Sequence, residues 1–109
     1  MKTRVRYMRL IVFFDLPMET LSQRREYSRF RKWLVKNGYL MLQKSVYAKL
    51  AIDGRMVTTL MQRLEANKPK EGIVQALQVT EKQYASIHCI VGGSVIREEL
   101  SSTDALVVL

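Results

Sequence analysis

Residues 10 to 17 read Leu-Ile-Val-Phe-Phe-Asp-Leu-Pro, and no other segment restricts the fold as much. Five consecutive apolar residues make a strand buried on both faces. Asp15 is its last residue. Pro17, which has no backbone N–H to give, prevents the ladder from continuing. A lone carboxylate is thus held at the tip of a buried strand, directly before a segment crowded with arginine.

The rest of the chain must supply the sheet around that strand. Its 109 residues suit one domain spanning 1–109, and 48% hydrophobic residues are enough for a core. A domain of this size buries only about two-thirds of its unfolded surface, so oligomerisation would supplement it. The one cysteine, Cys89, excludes an intramolecular disulfide and a multi-cysteine zinc site. It lies in the apolar run Ile87-His88-Cys89-Ile90-Val91 and reads as a buried thiol. The N-terminus carries no secretory signal, and Asp15 and Pro17 interrupt its apolar stretch far short of the roughly 20 residues of a membrane span. A cytoplasmic protein without a membrane partner is expected.

The segments follow one another closely. A first strand covers Tyr7–Asp15. Thr20-Leu21-Ser22-Gln23 has capping-box spacing and opens a helix that runs to Lys36, where Asn37-Gly38 gives a left-handed stop. A second strand is expected from Tyr39 to about Leu50, long enough to be bent or bulged. Asp53 caps a second helix from Gly54 to about Ala66, with Met56, Val57, Leu60, Met61 and Leu64 as its apolar face. A third strand covers Gly72–Val79. Thr80-Glu81-Lys82-Gln83 opens a short helix, and a fourth strand is expected at Ile87–Val91. This order predicts an α+β fold, a ferredoxin-like βαββαβ sandwich with both long helices on one face of an antiparallel sheet. Residues 104–109 are surplus to that plan. Ala105, Leu106, Val107, Val108 and Leu109 form a terminal strand expected to pair with a sheet edge, its own or a partner's.

Charge separates the chain into two parts. The net charge is +8, but residues 1–70 hold 16 Lys/Arg against 5 Asp/Glu, and residues 71–109 hold 2 against 5. A cationic surface for an anionic polymer follows, with nucleic acid as the leading partner. On a helical wheel, Tyr27, Phe30, Trp33 and Leu34 share one side. Arg25, Arg29, Lys32 and Lys36 fall within about 60° of one another on the opposite side, flanked by Arg24 and Arg31. Arg25/Arg29 and Lys32/Lys36 are like-charge i,i+4 pairs, which cost local stability. Such a stripe suits sequence-independent, salt-sensitive contact with a phosphate backbone.

Asp15 admits two readings. One carboxylate is a poor magnesium site, but two copies across a two-fold axis make a reasonable one. Alternatively, Asp15 caps backbone N–H groups in the turn before the first helix. His88, the sole histidine, reads as a strand histidine. The sequence has no Ser/His/Asp or Cys/His arrangement and no phosphate-binding glycine loop.

Three pieces together resemble a known family. They are Phe13-Phe14-Asp15-Leu16-Pro17, the arginine-rich helix closing in Asn37-Gly38-Tyr39, and Gln43-Lys44-Ser45-Val46-Tyr47. They are similar to the small CRISPR-associated adaptation subunit, the second universal Cas protein, which accompanies the CRISPR integrase. Tyr27, Phe30 and Trp33 in the basic helix, with Lys68-Pro69-Lys70, look most like variants of Cas9-type systems. The resemblance implies a ferredoxin-like homodimer whose C-terminal strands add to the partner's sheet. It implies a scaffold that holds double-stranded DNA in the integrase complex during spacer acquisition. It also implies a second reading, a magnesium-dependent endonuclease acting on RNA or double-stranded DNA. In that reading Asp15 is the catalytic and metal-binding residue, with one Mg2+ ion shared across the dimer.

Overall fold

A computed structural model describes residues 7–92. Their elements are β1 (Met8–Asp15), α1 (Leu21–Lys36), β2 (Leu40–Gln43), β3 (Val46–Ala51), α2 (Gly54–Asn67), β4 (Ile73–Thr80) and α3 (Glu81–Ala85). The four strands form one antiparallel sheet in the order β2-β3-β1-β4. With α1 and α2 this is the ferredoxin-like βαββαβ sandwich, and α3 is an addition to it. The apolar run is central: β3 pairs with it from Met8↔Ala51 to Phe13↔Val46, and β4 from Met8↔Thr80 to Asp15↔Ile73.

Strand alternation divides β1 between two environments. Met8, Leu10, Val12 and Phe14 point into the main core, where α1 contributes Phe30 and Leu34 and α2 contributes Val57, Leu60 and Leu64. The Phe14 ring is central there, edge-on to Phe30 at 5.1 Å and stacked on Tyr47 at 5.8 Å. Ile11 and Phe13 point to the other face, where Ile11 packs with Ala48 and Tyr84 of α3. α3 covers only one end of that face. The Arg9 guanidinium grips Glu81 at 2.7 and 3.0 Å and lies 4.5 Å from the Tyr84 ring centre. Beyond α3 no element among the described residues covers the sheet, and Leu50, Ile73 and Leu77 are exposed.

The helix ends follow the sequence signals. Thr20 and Gln23 form a reciprocal capping box, with Gln23 N to Thr20 Oγ1 at 3.0 Å and Thr20 N to Gln23 Oε1 at 2.9 Å. Gly38 takes the left-handed conformation after α1, with φ +89°. Asp53 Oδ1 accepts from Met56 N at 2.9 Å at the start of α2. Thr80 and Gln83 repeat the capping box at α3.

Two expectations are corrected. Residues 39–50 are not one long strand but the hairpin β2–β3, turning at Lys44-Ser45. Ser45 sits at φ 67°, a conformation that ordinarily falls to Gly or Asn, so the turn leaves no compositional mark. Tertiary bonds hold it instead. Phe14 N donates to Ser45 O at 3.0 Å, and the Tyr27 and Ser45 hydroxyls share a 3.1 Å hydrogen bond.

The second correction concerns Ile87–Val91, which form no strand. The hairpin already completes a four-stranded sheet, and this segment pairs with nothing among the described residues. Ile87, Ile90 and Val91 stand exposed, His88 is exposed, and Cys89 is half-buried rather than in the core. The expected terminal strand, Ala105–Leu109, lies outside the described residues.

One core residue carries a pH prediction. The Tyr39 ring is buried beside Trp33, and its hydroxyl has no hydrogen-bond partner among the described residues. Burial pushes its phenol from 10.0 up to about 12. The unfolded chain therefore ionises Tyr39 before the folded one does, and stability falls as pH rises from about 10 to 12. Tyr39→Phe is expected to leave stability near neutrality unchanged or slightly higher and to flatten that alkaline loss. Chemical denaturation across pH 7 to 12 measures both, and an unaltered alkaline slope in the variant contradicts the assignment.

Candidate nucleic-acid interface

Core packing fixes how α1 is rotated. Phe30 and Leu34 are fully buried, and Tyr27 and Trp33 pack against the same core, as the wheel predicts. Every cation of the predicted stripe then faces outward: Arg24, Arg25, Arg29, Arg31, Lys32 and Lys36 are all exposed. α1 lies over the covered face of the sheet, so this basic surface is on the opposite side of the molecule from the open apolar face.

The six cations are not equivalent. Arg24 Nη1 donates to Met18 O at 3.1 Å and Glu19 O at 3.0 Å, which ties down the turn between β1 and α1. Arg29 grips Glu26, the one acid of α1, at 3.1 and 3.0 Å and also donates to Asn67 O at the end of α2. The hydrogen bond from Arg29 holds the Glu26 carboxyl below the usual carboxylate range. Arg25, Lys32 and Lys36 make no side-chain hydrogen bond or ion pair within the described residues. Burial raises the Tyr47 phenol, and the charge of Arg31 opposes that rise.

Lys70 joins this surface from a distant part of the sequence. A recess of about 320 Å³ beside the start of α1 is lined by Arg25, Glu26, Arg29, Lys70 and Glu71, with Leu16 and Pro17 behind them. Gln23 Nε2 donates to Glu71 Oε1 at 3.1 Å and fixes the returning loop there. In the sequence alone, residues 68–70 mark only the end of a helix. No local signal places Lys70 beside Arg25, because only the α2–β4 crossover does so.

Asp15 stands apart from the basic stripe. It is exposed at the end of β1, opposite Ile73 in the register, and strand alternation puts it with Ile11 and Phe13 on the open side of the sheet. The turn before α1 is capped by Thr20 and Gln23, and among the described residues no hydrogen bond reaches the Asp15 carboxylate. The capping reading therefore finds no support. The backbone at this tip is tightly defined. A Cβ on Gly72 would lie 2.8 Å from Asp15 O and 2.7 Å from Leu16 Cδ2.

The described residues of one chain do not offer a complete metal site. No group of three or more His, Cys, Asp or Glu side chains converges among the described residues. A hard divalent cation takes six or more oxygen ligands and commonly uses one or two carboxylates with water. Asp15 supplies one such carboxylate per chain, and water or a substrate would have to supply the remaining oxygens. No helix among the described residues is long and apolar enough to cross a membrane.

Comparison with known proteins agrees with this architecture. Residues 8–87 match the family described as CRISPR associated protein Cas2. A Treponema denticola protein named CRISPR-associated endoribonuclease Cas2 is 50% identical over 102 residues, covering 94% of this chain and all of its own length. A Ligilactobacillus salivarius protein of the same name is 39% identical over 102 residues, with the same coverage. One from Lacticaseibacillus rhamnosus is 47% identical over 85 residues, 78% of this chain and 84% of its own. The matched segment contains the central strand, the hairpin and both long helices, and the chain belongs to the CRISPR-associated Cas2 family.

Proposed function

We propose that this protein is a homodimeric scaffold of CRISPR spacer acquisition, binding double-stranded DNA through α1 beside a CRISPR integrase subunit in the cytoplasm. The observation that carries this reading is the outward face of α1, where six exposed cations meet a single acid that Arg29 already satisfies. The open sheet face supports the dimer. Leu50, Ile73 and Leu77 are exposed around Phe13, Leu42 and Val46, and a second copy of the same face would cover them. Such a dimer leaves both α1 surfaces on the outside. In this reading chain 1–109 acts as a single domain. The test is binding of a short DNA duplex at a series of salt concentrations. Affinity should fall steeply and log-linearly with salt, and a flat dependence contradicts a phosphate-backbone interface.

A second reading rests on Asp15 and on the endoribonuclease names of the relatives. In it, two Asp15 carboxylates meet across the dimer axis and together hold one Mg2+ ion, which supplies Lewis-acid chemistry for phosphodiester hydrolysis. The carboxylates need the open-face dimer to converge, since each chain contributes only one. Asp15→Asn keeps the shape of the side chain and removes its charge. If this reading holds, purified Asp15→Asn protein loses metal-dependent cleavage of RNA and DNA by at least about 100-fold while duplex binding persists. Equal cleavage by the variant and the unmodified protein eliminates the paired-carboxylate site.

A further inference from the structure

The outward face of α1 has an uncharged centre line. Leu21, Ser28 and Val35 repeat every seven residues, all exposed, so they lie within about 20° of one line along the helix. Ser28 is the middle of it. Its neighbours at i−4, i−3, i+3 and i+4 are Arg24, Arg25, Arg31 and Lys32, so every adjoining position on that surface is basic. The side chain is short and its neighbours are long. An open depression there is lined by Ser28 with Arg24, Arg25, Arg29 and Lys32, and by Leu21 at one end.

Helix stability does not explain a serine here. Alanine would serve the exposed helix interior better by about 0.5 kcal/mol. An acid would serve better still, since it would meet opposite charges at four neighbouring positions. What serine provides is a hydroxyl donor at the bottom of a cationic cup, with space above it. Two walls of the cup are already oriented. Arg24 uses Nη1 on Met18 O and Glu19 O, and Arg29 uses Nε and Nη2 on Glu26, which leaves further guanidinium N–H groups on each. Arg25 and Lys32 are the adaptable walls.

We propose that Ser28 is the floor of a phosphate seat, where one backbone phosphodiester of the bound nucleic acid accepts a hydrogen bond from the Ser28 hydroxyl. The flanking cations close around the same phosphate. The seat fixes the register of α1 on the backbone without reading sequence. This rests on the proposal that α1 is a nucleic-acid face and adds a specific, uncharged contact to it.

The full-length protein and its Ser28→Ala, Ser28→Lys and Arg25→Glu/Lys32→Glu variants are titrated with one short DNA duplex over a salt series. Ser28→Ala should bind about 5-fold more weakly with an unchanged salt slope, since a neutral hydrogen bond is lost and no phosphate charge contact is. The same variant should unfold at an equal or higher temperature, which separates lost contact from lost fold. Ser28→Lys adds a charge but fills the cup, so it should bind no tighter than the unmodified protein. Ser28→Ala binding as well as the unmodified protein overturns the seat, and so does tighter binding with a steeper slope by Ser28→Lys. In either case, a weakened Arg25→Glu/Lys32→Glu variant leaves the wider interface standing. An unmodified protein that binds no duplex overturns both proposals.

Discussion

Replacing Arg25 and Lys32 together with glutamate is expected to weaken duplex DNA binding by roughly 100-fold or more at moderate salt, and to reduce the salt slope by about 2 per protomer. The pair is chosen on structural grounds. Both side chains are exposed, and neither makes an ion pair or side-chain hydrogen bond within the described residues. Reversing Arg29 instead would also break its grip on Glu26 and its bond to Asn67 O, so a binding defect could come from loosened helices. Arg24 is compromised in the same way by its bonds to Met18 O and Glu19 O. Arg25→Glu/Lys32→Glu lies on the side of the molecule away from the open sheet face and should leave the oligomeric state unchanged. Filter binding or fluorescence anisotropy, with light scattering on the same samples, checks both halves. Unaltered affinity removes α1 as the binding face.

The second large effect concerns stability at the strand tip. Gly72→Ala is expected to destabilise the fold by about 2–4 kcal/mol, through a left-handed backbone that disfavours Cβ and overpacking against fixed atoms. Gly72 sits at φ +98°, and a methyl added there would come within 3.1 Å of Leu16 Cα as well as meeting the backbone oxygen of Asp15. The obstruction is partly main chain, and neither β1 nor the start of β4 can move without breaking the Asp15↔Ile73 register. Gly54→Ala is the matched control. Gly54 begins α2 with nothing within 4 Å of the added atom, so alanine there should be neutral or stabilising. Urea unfolding of both variants decides the matter, and equal midpoints contradict the close-approach account.

What the sequence disclosed and what it hid follow from the range of the forces involved. Both capping boxes, the Asp53 cap, the Gly38 stop and the orientation of α1 arise within a few residues and are legible in the chain. The basic face follows from helix period plus an apolar stripe, and all six of its residues are exposed where expected. The β2–β3 turn is hidden because Ser45 carries a conformation its side chain does not advertise. Phe14 and Tyr27, some 31 and 18 residues away, are what secure it. The same separation hides Lys70, which reaches the basic face only after α2 has crossed the sheet. Ile87–Val91 misleads in the other direction, since an apolar run supplies the pattern of a strand but not the partner a strand requires.

The alternation along β1 has a consequence for how such a chain can evolve. Leu10, Val12 and Phe14 answer to packing inside the protomer, while Ile11, Phe13 and Asp15 answer to the other side of the sheet. Adjacent codons are thus under unrelated selection. Insertion or deletion of one residue inside β1 would exchange the two sets and send Asp15 into the aromatic core, so the strand is closed to length variation. The exposed residues 70–72 between Pro69 and β4 are held less uniformly. Gly72 is pinned by contact and Glu71 is held by Gln23, whereas Lys70 is an exposed position where substitution leaves the sheet unaltered.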